Sequence, residues 1–189
     1  MKGHAWDEGG SWIMGLLAMF CLVGCLRTPA NSVHRPLGTD VPTTVIIFRH
    51  AERLSDDKDT PLSEAGHARA RALVPLLTDL KPDVVVVSEL QRTRQTLAPF
   101  LDHSKRVPLV RSNEKCADLA REILQFWRGK TVVVAWHRGP NVDLARALGA
   151  KEPFPVWMHD TYDLYWILTI KADGAVTLVE KTQPFLISR

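Results

Sequence analysis

Three times in this chain a short, unbroken run of apolar, mostly β-branched residues ends in ionisable side chains and then gives way to a helix-forming stretch. The first run is Thr43-Thr44-Val45-Ile46-Ile47-Phe48, followed by Arg49-His50-Ala51-Glu52-Arg53. The second is Val84-Val85-Val86-Val87, followed by Ser88-Glu89-Leu90-Gln91-Arg92-Thr93-Arg94. The third is Thr131-Val132-Val133-Val134-Ala135-Trp136, followed by His137-Arg138-Gly139-Pro140-Asn141. Runs that are apolar without alternation suit strands buried on both faces. Strands of that kind alternating with helices predict an α/β fold: a three-layer α/β/α sandwich with a mostly parallel central sheet. Ligands bind such sheets just beyond the carboxyl ends of the strands. If the three strands are neighbours, two imidazoles and at least two guanidiniums converge on one crevice. Each tip alone reads equally well as a solvated strand end, and the weight lies in the joint pattern.

The remaining segments fit between these strands. Ser63 is the expected N-cap of a helix whose apolar stripe is Leu73, Leu76, Leu77 and Leu80, with Pro75 inside it. Arg69, Arg71 and Lys81 are expected in solvent. A second helix follows Ser88 and runs to about Leu101. Arg92 and Arg94, two apart on it, point to nearly opposite sides, so only one easily faces the crevice. Val107 to Val110 reads as a short strand at a sheet edge because of Pro108. Asp118 to Trp127 is an amphipathic helix with Leu119, Ile123, Phe126 and Trp127 on its apolar face. Tyr162 to Ile170 and Ala175 to Lys181 form an antiparallel C-terminal hairpin around Ala172-Asp173-Gly174.

The front of the chain has a different character. Trp12 to Gly24 is apolar throughout, a length that suits the hydrophobic part of a signal peptide better than a membrane span. Leu22-Val23-Gly24-Cys25 resembles a bacterial lipobox, which implies lipidation at Cys25, with an uncleaved N-terminal anchor as the alternative. Residues 1–25 are therefore expected to be a signal peptide, 26–42 a linker rich in Pro, and 43–189 the folded domain. The expected location is outside the cytoplasm, on the periplasmic or extracellular side of a membrane. Once Cys21 leaves and Cys25 carries lipid, only Cys116 remains, and one thiol makes no intrachain disulfide. Over the whole 189 residues the net charge is only +3, and no basic run or aromatic-interleaved stripe argues for nucleic acid.

A histidine beside fixed positive charge is disfavoured as imidazolium, and a neutral imidazole is a nucleophile. An adjacent arginine suits a phosphate. With Arg49-His50-Ala51-Glu52, Pro61-Leu62-Ser63-Glu64-Ala65-Gly66, Ser88 to Thr96, Val134-Ala135-Trp136-His137 and Tyr162-Asp163-Leu164-Tyr165, the chain resembles the histidine phosphatase superfamily, the phosphoglycerate-mutase-like proteins, over about Thr44 to Lys181. The resemblance implies that His50 becomes phosphohistidine, that Arg49 and Arg92 clamp the phosphoryl oxygens, and that His137 donates to the same group. It implies no metal or other cofactor, and a small phosphorylated substrate. The general acid is expected at Glu114, with Asp118 close by and Glu52 as a further candidate that instead orients an arginine. Arg138 stands where the family commonly has a small residue. It is a candidate contact for a second anionic group, or else a solvated helix-start residue.

Two functions follow as expectations. One is a metal-independent phosphatase hydrolysing a phosphate monoester. The other is a membrane-anchored module that binds a phosphorylated or anionic ligand without turnover. Hydrolysis of an aryl phosphate separates them, because its leaving group needs little protonation.

Overall fold

The computed structural model describes residues 41–185. The apolar N-terminal run, Cys25 and nearly all of the expected linker lie outside the described residues. Six strands and four helices follow in order: β1 (Thr43–Arg49), α1 (Glu64–Leu80), β2 (Val84–Ser88), α2 (Gln91–Ser104), β3 (Leu109–Arg111), α3 (Cys116–Phe126), β4 (Thr131–Trp136), α4 (Arg138–Ala147), β5 (Leu164–Ile170) and β6 (Val176–Thr182). The strands form one sheet in the order β3-β2-β4-β1-β5-β6. β1, β2, β3 and β4 run parallel, while β5 and β6 are antiparallel additions. This is the mixed, mostly parallel sheet expected from the sequence.

The alternation of side chains along each strand divides the core into two layers. Val45, Ile47, Val86, Val132, Val134 and Trp136 pack with Leu119, Ile123 and Leu144 from α3 and α4. Ile46, Phe48, Val85, Val87, Val133 and Ala135 pack on the other face with Leu73, Leu77, Leu97 and Phe100 from α1 and α2. Burial on both faces is why the sequence runs show no polar alternation. Because β4 lies between β2 and β1, the ends of these three strands are adjacent, at the point where the sheet order reverses direction.

Ser63 caps α1 as expected: its Oγ accepts from the Gly66 N–H at 3.1 Å. Three local expectations differ. Arg69 is 7% exposed rather than solvated, because the Glu52 carboxylate and Gln183 hold its guanidinium. The edge strand begins after Pro108 instead of at Val107, which is exposed. Proline has no N–H to give the sheet, so pairing starts at Leu109 opposite Val86. Phe126 is 65% exposed, and Trp127, at the C-cap of α3, takes the core position in its place.

Gly66 marks the tightest approach. A Cβ built there would stand 2.1 Å from the Glu52 carbonyl oxygen, which is backbone and cannot swing aside. In an open helix Gly→Ala stabilises by about 1 kcal/mol. Here the clash outweighs that gain. We expect Gly66→Ala to destabilise by about 2 kcal/mol, read as a lower urea midpoint.

Candidate active site

The site is assembled from three strand ends. β1 delivers Arg49 and then His50, which is 4% exposed. The turn after it is held by α2, where Thr96 Oγ1 accepts from the Ala51 N–H at 2.9 Å. β4 delivers His137, 7% exposed, as the N-cap of α4. β2 delivers Ser88, and α2 starts three residues later with Arg92 in its first turn. The imidazole centroids of His50 and His137 are 5.4 Å apart.

The hydrogen-bond partners fix both tautomers. His50 Nδ1 lies 2.7 Å from the Ala51 carbonyl, which can only accept, so Nδ1 carries the proton and Nε2 the lone pair. His137 Nδ1 lies 3.2 Å from Arg92 Nη2, which can only donate, so this nitrogen accepts. Its Nε2–H then donates to Ser88 Oγ at 2.8 Å, and Ser88 Oγ pairs with Thr93 Oγ1 at 2.9 Å. Burial holds both rings neutral. For His50 it outweighs the raising effect of the Ala51 carbonyl and, with His137, Arg49 and Arg92 adding to it, lowers the pKa to about 2. For His137, burial and then Arg92 and Arg49 lower it to about 3.

The two guanidiniums are oriented by loop carbonyls. Arg49 Nη1 donates to Met158, His159 and Thr161 at 3.2, 2.7 and 2.8 Å. Arg49 also lies over the Tyr162 ring, 4.0 Å from its centroid. Arg92 Nη1 donates to the Lys58 carbonyl at 2.8 Å. Among the described residues the Nε–H of each arginine is buried with no hydrogen-bond partner. An unpaired buried donor costs roughly 1–3 kcal/mol, and two of them flanking neutral imidazoles leave donors for an anion to meet. Arg53 and Arg138 add charge that acts on Arg49.

His50, Arg49, Arg92 and His137 are thus brought together. Glu114 is exposed and lines a cleft between α3 and α4 with Cys116 and Asp143. Asp118 pairs with Arg121 on the surface of α3, and Glu52 is committed to Arg69. The carboxylates that act on Arg92 are Asp59 and Glu89. Arg138 is exposed at the first position of α4. Tyr162, Ser88 and Thr93 were not singled out from the sequence as site residues. The aromatic residue just before β5 was the available signal, since β5 pairs with β1 and so starts beside its end. Among the described residues no group of three or more His, Cys, Asp or Glu side chains could hold a metal ion.

Neutral burial makes stability depend on pH. Both histidines have folded pKa values below the unfolded 6.5, so the unfolded chain binds more protons between about pH 6.5 and 3. Stability is therefore fully present above about 6.5 and falls as pH drops. We expect a loss of about 2 kcal/mol per histidine between pH 7 and pH 5, measured by urea unfolding in phosphate-free buffer. A flat profile across that range would contradict the buried neutral pair.

Comparison with known proteins agrees with this geometry. The family model for the histidine phosphatase superfamily (branch 1) matches residues 45–114. A probable phosphatase of Schizosaccharomyces pombe is 33% identical over 85 residues, which is 41% of this chain and 38% of that protein. Among solved structures, mycobacterial glucosyl-3-phosphoglycerate phosphatase aligns with a TM-score of 0.58 at 14% identity, covering 75% of this chain and 98% of that one. The protein histidine phosphatase SixA, complexed with tungstate, aligns at 0.57 and 19% identity, covering 74% and 96%. The fold is the phosphoglycerate-mutase-like α/β fold. The family model covers under half of this chain, and the chain spans well under half the length of the curated relative it matches.

Proposed function

We propose that the protein hydrolyses a phosphate monoester through a phosphohistidine on His50, without a metal ion, while anchored to a membrane outside the cytoplasm. The observation that carries the catalytic reading is the pair of buried, unpartnered Nε–H donors on Arg49 and Arg92, set beside a histidine whose lone pair is on Nε2. The lipobox-like Leu22-Val23-Gly24-Cys25 motivates the location.

In the first step His50 Nε2 attacks phosphorus, a P–N bond forms and the P–O bond to the leaving group breaks. Arg49 and Arg92 hold the phosphoryl oxygens, with Arg92 exchanging its contact to His137 for one to the substrate. Fixed donors in a desolvated pocket stabilise charge spread over those oxygens, which is most of what phosphoryl transfer requires. Water then attacks phosphorus, the P–N bond breaks, and inorganic phosphate leaves with His50 neutral again.

The test is phosphate release by the full chain from an aryl phosphate with EDTA present. Release that continues in EDTA supports the reading. Tight binding of phosphate with no turnover would favour a binding module instead.

A further inference from the structure

Because β1, β2, β3 and β4 are parallel, their starts lie together at the end of the sheet opposite the crevice, and β5, running the other way, finishes there. Neighbouring segments at this end are tied to one another in sheet order. Arg106 Nη1, before β3, donates to the Asp83 carbonyl at 3.2 Å. The Asp83 N–H donates to the Thr131 carbonyl at 2.8 Å, and its carboxylate accepts the Thr131 N–H at 2.8 Å. The Lys130 carbonyl accepts the Thr44 N–H at 3.0 Å, and the Gly129 N–H donates to Thr43 Oγ1 at 2.9 Å. Thr43 stands opposite Ile170, which Lys171 follows. The result is an unbroken rim across five strands, about 19 Å long at the usual strand spacing.

This rim combines positive charge with apolar side chains. Segments 81–83, 105–108, 127–130 and 171–175 hold Lys81, Lys105, Arg106, Arg128, Lys130 and Lys171, all exposed, against Asp83 and Asp173. Both of those carboxylates accept backbone N–H groups. Asp79 and Asp102, in the last turns of α1 and α2, reduce the positive excess without cancelling it. Val107, Phe126 and Val41, in or beside the same segments, are 88%, 65% and 59% exposed. At the crevice end, by contrast, the segments after the strands carry the exposed acids Asp56, Asp57, Asp59, Glu89 and Glu114. Cations interspersed with apolar tips match a bilayer surface bearing anionic headgroups: the charges meet phosphate, and the tips enter the boundary with the acyl chains.

The chain's point of entry favours that occupant. Val41 lies on this rim, and the sequence before it leads back to Cys25 and the apolar run ending at Gly24. The stretch from Cys25 to Val41 spans at most about 55 Å, so an anchor there keeps the rim within reach of the surface, and weak contacts then suffice.

We propose that this rim is a contact face for anionic lipid headgroups, which holds the anchored domain with its crevice turned away from the membrane. The inference rests on the membrane anchoring proposed above.

The test is lysine acetylation of the full chain, located by peptide mass spectrometry. It is run in detergent, on phosphatidylcholine vesicles, and on vesicles of equimolar phosphatidylcholine and phosphatidylglycerol. On the anionic vesicles Lys81, Lys105, Lys130 and Lys171 should react about fivefold more slowly than on the neutral ones. Lys58 and Lys115, exposed at the crevice end, should keep their rates. Lys105→Glu combined with Lys130→Glu, checked for folding by circular dichroism, should restore the rates of Lys81 and Lys171. Equal slowing at both ends, no slowing, or slowing that survives the double variant would overturn the proposal. Slowing already present in detergent would assign the rim to a second copy of the chain and overturn it as well. If the full chain does not sediment with phosphatidylcholine vesicles, the anchoring reading fails. Sedimentation with the anionic vesicles then decides the rim by itself: salt-reversible binding that is lost in the double variant upholds it, and no binding removes it.

Discussion

His50→Ala is expected to lower kcat by at least about a thousandfold on an aryl phosphate, since the Nε2 lone pair that attacks phosphorus leaves with the side chain. The fold should survive. His50 lies past the end of β1, its backbone N–H is donated to the Trp136 carbonyl at 2.9 Å, and the substitution leaves that bond in place. The side chain loses one local contact, from Nδ1 to Ala51, and one buried group that resists protonation. The variant should therefore also lose about half of the pH dependence of stability between pH 7 and 5. Activity within tenfold of wild type would remove His50 as nucleophile, whatever the family resemblance.

The second large effect is on stability. Glu52 accepts three hydrogen bonds from Arg69: Nε to both carboxylate oxygens at 3.0 and 2.9 Å, and Nη2 to one of them at 2.7 Å. The two side chains are only 18% and 8% exposed. Arg69 Nη1 donates onward to Gln183, whose own Nε2–H donates to the Tyr162 carbonyl. The pair thus ties the turn after His50 to α1 and to the start of β5. Removing one partner of such a pair leaves a buried uncompensated charge, a loss of roughly 3 kcal/mol. We expect Glu52→Ala to lower the urea midpoint accordingly. Glu52→Ala combined with Arg69→Met should be more stable than Glu52→Ala alone, because no charge is then left buried. A double variant at least as unstable as the sum of the single variants would show that the pair acts by shape and not by charge.

What the sequence disclosed, and what it did not, follows from the range of the interactions involved. The β-branched runs that became β1, β2 and β4 were legible because burial on both faces demands that composition. Their ionisable tips were legible because the change from apolar to charged residues is abrupt at Arg49, Ser88 and His137. Arg69 was misplaced because on a helix it looks like any surface arginine. The turn at Glu52, 17 residues away, and Gln183, near the other end of the domain, bury it. Glu114 was assigned from the region of the family's acid, and it stands exposed just before α3, lining a cleft between α3 and α4. The tautomers, the two unpartnered Nε–H groups and the carbonyls that hold Arg49 depend on loops whose sequence carries no code for their path. Arg138, which the sequence marked only as an unusual residue after His137, stands exposed at the start of α4 with its charge acting on Arg49.

The central claim is a covalent phosphohistidine, and it is tested most directly by quenching the full chain in alkali during turnover of an aryl phosphate and locating the phosphoryl group by peptide mass spectrometry. A base-stable, acid-labile phosphoryl group on the peptide carrying His50 is the predicted result. Burst-phase release of the alcohol with no phosphorylated His50 peptide, or a phosphoryl group found on His137 instead, would contradict the account.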